Sequence, residues 1–540
     1  MNNALQILHS GKFHTLDSRR PTATAIAIHG RKILQVGSDR DIIEAFPKAN
    51  RINLGGKVVI PGLTDAHIHL KHYALSLQNI DCETPTREEC LRRVAERARS
   101  TPPGKWILGH GWNQNDWPKG FGHTSDLDSV APDNPVYLTA KSLHAAWVNS
   151  AALRVAHINI NTPDPGDGLI QRDEHGNPTG ILIEGALRLA ADVIPEPPLA
   201  EVVAAIREAQ PALWSMGLTS VHDFDQQACF AALQALHAEG DLRLRVIKSI
   251  PLEALPQAAE LGLRGGFGDD WLRIGGVKAF ADGALGPHTA ALLQPYENAP
   301  DNRGMLLMSA AELFEHGRLA AEHCLPMAVH AIGDRANHEM LNGFEQLRDY
   351  ERQKQSQGDL PAASGGHLRH RIEHVQLLHP QDVHKLAELD IIASMQPIHA
   401  TSDMLMADEY WGERAALSYA VRTILDAGSR LVFGSDAPVE SPNPFWGLHA
   451  AVTRRRADGT PGPEGWYPEQ RLTVSEALRA FTIGPAYAAG MEDRLGKLAP
   501  GYLADLLVLD TDPFTCQPDE LRDIRPEAIM VGGEWLMDGD

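Results

Sequence analysis

Residues 57–70 read KVVIPGLTDAHIHL, an apolar run that reaches Pro61-Gly62 and then delivers Asp65, His67 and His69 within a few positions. Alternate side chains of a β-strand point the same way, so a strand here sets His67 and His69 on one face. Neutral imidazole is the commonest nitrogen ligand of divalent metals, and two of them on a rigid strand suit such an ion. An HxH pair also arises by chance in a chain with 25 histidines. The metal reading therefore requires further ligands elsewhere.

Outward from this stretch, short apolar segments alternate with helical ones. VVIPGLTDAHIH, GLTSVHDF, LRVIKSI, GGVKAFADG, MAVHAIGD, RIEHVQ, IIASMQ and LVFGSDAP read as strands. Patterns such as LAEVVAAIREAQPALWSMG and SAAELFEHGRLAAEHC separate several of them as helices, and Thr473 with Glu476 forms a capping-box pattern opening a late helix through TVSEALRAFTIGPAYAAG. Eight strands with crossovers predict an α/β fold of the (β/α)8, TIM-like barrel type. A doubly wound sheet is the alternative, but it does not explain why polar residues crowd the strand ends. The first sixty residues and the C-terminus instead read as glycine-punctuated strands, which predicts that both termini pair into one small β domain. The first and second barrel strands are separated by residues 71–205, predicted to be a large insertion over the barrel mouth.

Composition narrows the function classes. Of 540 residues, 43% are hydrophobic and 22% charged, as expected of a globular protein with a large core. A net charge of −21 argues against nucleic-acid or anionic-membrane partners, which attract basic patches. The five cysteines include no CxxC pair, which fits a reducing cytoplasm. No signal peptide or bilayer-spanning apolar run is evident, so the expectation is a soluble cytoplasmic protein.

In a (β/α)8 barrel the chemistry sits at the carboxyl ends of the strands. Those ends supply His67 and His69, then His222 and Asp223, Lys278 and Asp282, His330, His374, and Asp436. Each alone is an ordinary core or loop residue; in this order, converging on one mouth, they predict a metal site. Lys278 is the odd member, because a protonated amine repels a metal. A buried lysine loses its proton more readily and can then add carbon dioxide to become an anionic carbamate. A salt bridge to Asp282 or to a substrate carboxylate is the alternative.

These motifs resemble the amidohydrolase superfamily over nearly the whole chain: PGLTDAHIHL on the first strand, RIEHVQ on the sixth and FGSDAP on the eighth. GGVKAFADGALG, MAVHAIGDRAN and PVYLTAKSLHAAWVNS are similar to the amidohydrolase family 3 group of N-substituted formamide deformylase-like enzymes. The resemblance implies a β-sandwich from residues 1–62 and 485–540 beside a barrel over 63–484. It implies metal-dependent hydrolysis of a C–N bond in a small-molecule substrate and, from family habit, a homodimer.

In that scheme His67, His69 and Asp436 hold one zinc-like ion, His330 and His374 hold a second, and Lys278 carboxylated by CO2 bridges the two. His374 and Asp436 belong to the catalytic set, with metal-activated hydroxide as nucleophile and Asp436 as general base and acid. Asp223 and Asp282 orient neighbouring groups. Within the insertion, His144, Trp147, Asn149, His110 and Trp112 offer donors and aromatic faces to a substrate, and Glu184 is an isolated carboxylate; their alternative is the core and capping of a subdomain. The chain has Pro287 and His288 where the group often has Ser-Arg, so an arginine that could grip an anionic substrate is missing. Two other readings stay open: a mononuclear deaminase or hydrolase using His67, His69, His330 and Asp436, and a catalytically inactive metal- or ligand-binding regulator.

Overall fold

The stretch at 57–70 divides at Pro61-Gly62 into two strands that serve different sheets. In the computed structural model, which describes residues 5–114, 117, 120–141, 144–166, 168–358 and 367–537, Val58–Pro61 pairs in parallel with Lys12–His14 and antiparallel with Leu506–Leu509. Leu63–Ile68 is instead the first strand of the barrel. The single strand expected from the sequence is therefore corrected to two. Gly62 makes the junction: a Cβ there would lie 2.3 Å from Thr219 Oγ1, and its N–H donates to the Asp505 carbonyl at 3.0 Å. A side chain at this crossing has no room.

The barrel strands are β1 Leu63–Ile68, β2 Leu218–Asp223, β3 Arg245–Pro251, β4 Leu272–Phe280, β5 Met327–Ala331, β6 Arg371–His374, β7 Ile392–Met395 and β8 Leu431–Phe433. They lie side by side in chain order, each parallel to its neighbours. A doubly wound sheet would reverse its strand order at a switch point, and this one does not. The eighth strand approaches the first: His69 N–H donates to Ala437 O at 2.9 Å and Asp436 N–H to His67 O at 2.7 Å. These bonds bring the sheet close to closure at the end where the polar residues gather.

Helices Gln227–Glu239, Ala310–Glu322, Asp334–Gln357 and Pro444–Thr453 follow β2, β4, β5 and β8. Capping boxes at Ser309 with Glu312 and at Thr473 with Glu476 start two helices. The late helix expected through TVSEALRAFTIGPAYAAG is two, Val474–Ala480 and Ile483–Ala488, because Pro485 has no N–H with which to continue the first.

Strands from both termini form two sheets. One joins Leu5–His9, Ala25–His29, Lys32–Gly37 and Asn50–Asn53; the other joins Lys12–His14, Thr22–Ala23, Val58–Pro61, Leu506–Leu509, Pro526–Val531 and Glu534–Met537. Leu8, Ile26, Ile28 and Ile33 of the first share an apolar cluster with Phe13, Val59, Leu506, Val508 and Met530 of the second. Burying this alternate-residue face is what the terminal strands contribute to stability.

The chain forms two compact units, one of residues 1–74 with 202–540 and the other Leu75–Glu201. The second is built on a six-stranded mixed sheet backed by helix Arg87–Ser100, which is capped by Thr86. Its core holds Cys82, Cys90, Val94, Trp112, Leu138 and Trp147. Among the described residues, no helix is long and apolar enough to cross a membrane.

Candidate metal centre

The carboxyl ends of β1, β6 and β8 bring His67, His374 and Asp436 together, with one ligand atom from each lying mutually within 4.8 Å. Asp436 Oδ1 stands 3.5 Å from His67 Nε2 and 3.3 Å from His69 Nε2. The His374 ring lies 4.9 Å from that of His67 and 4.5 Å from that of His330, centroid to centroid. His374 and Asp436 both sit at positive φ, 74° and 62°. Such backbone is uncommon outside glycine and collects at functional sites.

Each imidazole is anchored through one ring nitrogen. His67 Nδ1 donates to Glu373 Oε2 at 2.6 Å, His374 Nδ1 donates to Gln396 Oε1 at 2.8 Å, and His69 Nδ1 donates to Asp225 Oδ1 at 3.1 Å. His330 uses Nε2, which donates to Gly283 O at 2.9 Å. His67 Nε2 is buried and has no hydrogen-bond partner among the described residues. A buried, unpartnered imidazole nitrogen beside a carboxylate oxygen is costly unless something binds there.

Charge supports a cation. Burial, reinforced by the Lys278 charge, lowers His67 to about 4 and His330 to about 3, so both imidazoles are neutral and competent as ligands. Burial opposes the charge on Asp436, but the hydrogen bond from protonated His69 helps hold its carboxyl well below the usual range. Burial also disfavours protonated His69, yet hydrogen bonds to Asp225 and Asp436 outweigh it and raise that residue to about 9; a cation held at its Nε2 would take the place of that proton. The donor set of imidazoles and a carboxylate therefore fits a divalent ion of the zinc type.

Lys278 is buried, with Nζ 4.7 Å from the Phe224 ring centroid and 4.9 Å from that of Phe280. Burial lowers it to about 8. Asp282 does not pair with it, contrary to one expectation: its carboxylate accepts the N–H groups of Ile332, Gly333 and Ala291 at 3.0, 2.8 and 2.8 Å. Asp282 thus organises the loop after β5, 3.6 Å from His330 Nε2. Asp223 accepts from Leu70 N–H at 2.9 Å and pairs with Lys248 at 2.8 Å, fixing the chain just after the two first-strand histidines. His222 is turned to Arg371, which donates to its Nδ1 at 3.0 Å.

The residues singled out in 75–201 separate into two kinds. Trp112, Trp147 and Asn149 are fully buried. The indole N–H groups of Trp112 and Trp147 donate to Leu138 O and His123 O. Asn149 caps helix Ser150–Val155 and holds Ala131 O and Asn134 O. These three serve packing and capping, a correction to the substrate-contact expectation, since no face of theirs is open. Trp147→Ala is expected to destabilise this unit by about 3–5 kcal/mol, measured by denaturant unfolding; a loss below 1 kcal/mol, roughly, would contradict the packing role. His110, His144 and Glu184 are exposed; His110 bonds Thr139 and His144 pairs with Glu184 at 3.0 Å. His288, standing where an arginine was looked for, packs on Tyr296 and Tyr410.

Sequence spacing missed Glu373, Asp225, Gln396 and His399. His399 is almost buried, its ring stacks on His374 at 6.3 Å, and its Nε2 has no partner among the described residues. The signal for Glu373 and Asp225 was present, since charges inside barrel-strand segments demand partners.

Known proteins resemble the chain over nearly its whole length. The chain is 32% identical to Protein LONG AFTER FAR-RED 3 of Arabidopsis thaliana over 98% of this chain and 91% of that protein. It is 30% identical to N-substituted formamide deformylase of Arthrobacter pascens over 96% of each. An uncharacterized metal-dependent hydrolase from Pyrococcus furiosus superposes with a TM-score of 0.78 at 30% identity, covering 95% of this chain and 100% of the other. With residues 51–536 matching the amidohydrolase family, the chain belongs to that family.

Proposed function

We propose that this protein is a metal-dependent hydrolase that cleaves a C–N bond in a small formamide or amide. The observation that carries the reading is the buried His67–His374–Asp436 cluster with its unpartnered imidazole nitrogen, in a chain related to a formamide deformylase. His67, His69 and Asp436 would hold one divalent ion and His330 with His374 a second. A bound divalent ion supplies Lewis acidity to a water and to the substrate carbonyl. Asp436 then accepts the proton of the attacking water and returns it to the departing amine.

Lys278 has a further role in this reading. With its amine at about 8, roughly a tenth of the molecules carry it neutral at pH 7. The neutral nitrogen adds CO2, forming an N–C bond and releasing one proton, which gives a carbamate between the two ligand sets. His399 directs its free nitrogen to the substrate. His399→Ala is expected to lower kcat/KM by about 10²-fold with metal content unchanged, and His399→Gln to recover part of it; equal activity of all three proteins removes the residue from the site.

The mononuclear deaminase or hydrolase is the second reading. It is favoured by the close grouping of His67, His374 and Asp436 among the described residues, while His330 Nε2 is engaged by Gly283. The test is turnover of the metal-loaded protein on a panel of N-substituted formamides, N-acyl amines, carbamates and exocyclic amines of heterocycles. Formate or carboxylate release supports the proposal. Ammonia release from the heterocycles alone, or no turnover at all, overturns it.

A further inference from the structure

Three of the strands that end at the metal centre, β4, β5 and β6, begin beside a cavity. It measures about 260 Å³ and is entered between the first residues of β4, Pro326 ahead of β5, and Leu368-Arg369 ahead of β6. Arg273 and Lys278 lie five residues apart on β4, so roughly 17 Å of strand separates this cavity from the metal centre. Arg264, Arg273, Ile274, Pro326, Arg369 and Ala489 are among its walls.

The pairing of other arginines, one of them on the same cavity, sets the contrast. Arg369 reaches Glu492 at 2.7 Å, Arg494 reaches Asp270 at 3.2 Å, and Arg245 is clamped by Asp505 at 2.6 Å. Among the described residues, the guanidinium groups of Arg264 and Arg273 have no hydrogen bond or ion pair to the protein, and Arg273 Nε is shielded from solvent without an acceptor. A shielded guanidinium donor without an acceptor is destabilising. Burial and the like charge of Arg494 weaken the Arg273 cation, and the carboxylates of Asp270 and Asp493 only partly offset them. The backbone makes room for it all the same: Gly266 lies at φ +80°, and a Cβ there would come within 2.9 Å of Arg273 Nη2. Arg264 and Arg273 thus bring two guanidinium groups with no direct acceptor among the described residues to one cavity, in a chain carrying a net charge of −21.

We propose that this cavity binds a small organic anion, its carboxylate or phosphate group held between Arg264 and Arg273 and its compact apolar body against Ile274, Pro326 and Ala489. The planar guanidinium fork suits both head groups, and the volume lies just under the usual range of small-molecule sites, which limits the occupant to a small one. His367 does not compete for it, because its Nε2 is taken by Asp390.

The test is calorimetric titration of the full, metal-loaded chain with inorganic phosphate and, separately, with 2-methylpropanoate at fixed ionic strength. Saturable binding of either anion is expected, weakened about tenfold or more by Arg273→Met and severalfold by Arg264→Met. Binding of phosphate alone assigns a phosphoryl head, and binding of the carboxylate alone assigns an organic acid. Should Arg273→Met fail to fold, the exposed Arg264 variant decides. Both anions can also reach the metal centre, so a signal that survives unchanged in the arginine variants belongs there and overturns the proposal. Absence of binding by both anions overturns it as well. The outcome is independent of whether the metal centre hydrolyses formamides.

Discussion

Replacing Asp436 with asparagine is expected to leave metal bound and to lower kcat by about 10³-fold or more. Asparagine keeps the shape and one oxygen donor, so the grouping with His67 and His374 survives. It cannot take up a proton in the range where a carboxylate does. The backbone at this position is independently fixed: Asp436 N–H donates to His67 O, so the substitution has little reason to move the strand end. The measurement is kcat together with metal content on the same preparation, using whichever substrate the panel identifies. Retention of more than roughly a tenth of wild-type kcat would remove Asp436 from proton transfer.

Lys278→Ala is expected to reduce bound metal from about two ions per chain to one or fewer, with partial recovery of metal and activity on adding a short carboxylic acid. The alanine leaves a space between Phe224 and Phe280 that an added carboxylate can enter. Asp282 cannot replace the lost group, being committed to three backbone N–H donors. If Lys278 only packs or only carries charge, metal content stays unchanged and the acid has no effect. Intact-mass analysis gives a second readout, because a carboxylated lysine adds one CO2 to the chain.

Much of this was legible because both the fold and the centre are written at strand ends. A polar residue closing an apolar segment is visible in sequence, and His67, His374 and Asp436, which the structure brings together, are read that way. What spacing does not show is the cross-strand partner. Glu373 stands beside His374, yet its carboxylate engages His67 from β1, a pairing that only strand order reveals. Asp225 likewise serves His69 and His72 from beyond β2. His399 lies on a helix after β7, where no alternation marks it. Residue type misled in the insertion, because Trp147 and Asn149 suit a ligand surface and a core equally well, and burial alone distinguishes the two. The strand break at Gly62 was hidden for a related reason: both halves of the run are apolar, and the Thr219 side chain that separates them comes from far along the sequence.

If the ends of β1, β4, β5, β6 and β8 together hold divalent metal, as proposed, plasma mass spectrometry on protein purified without chelators or an affinity metal column finds close to two ions per chain, and fewer in Lys278→Ala. A protein that binds none, even after incubation with zinc and bicarbonate, would contradict the proposal.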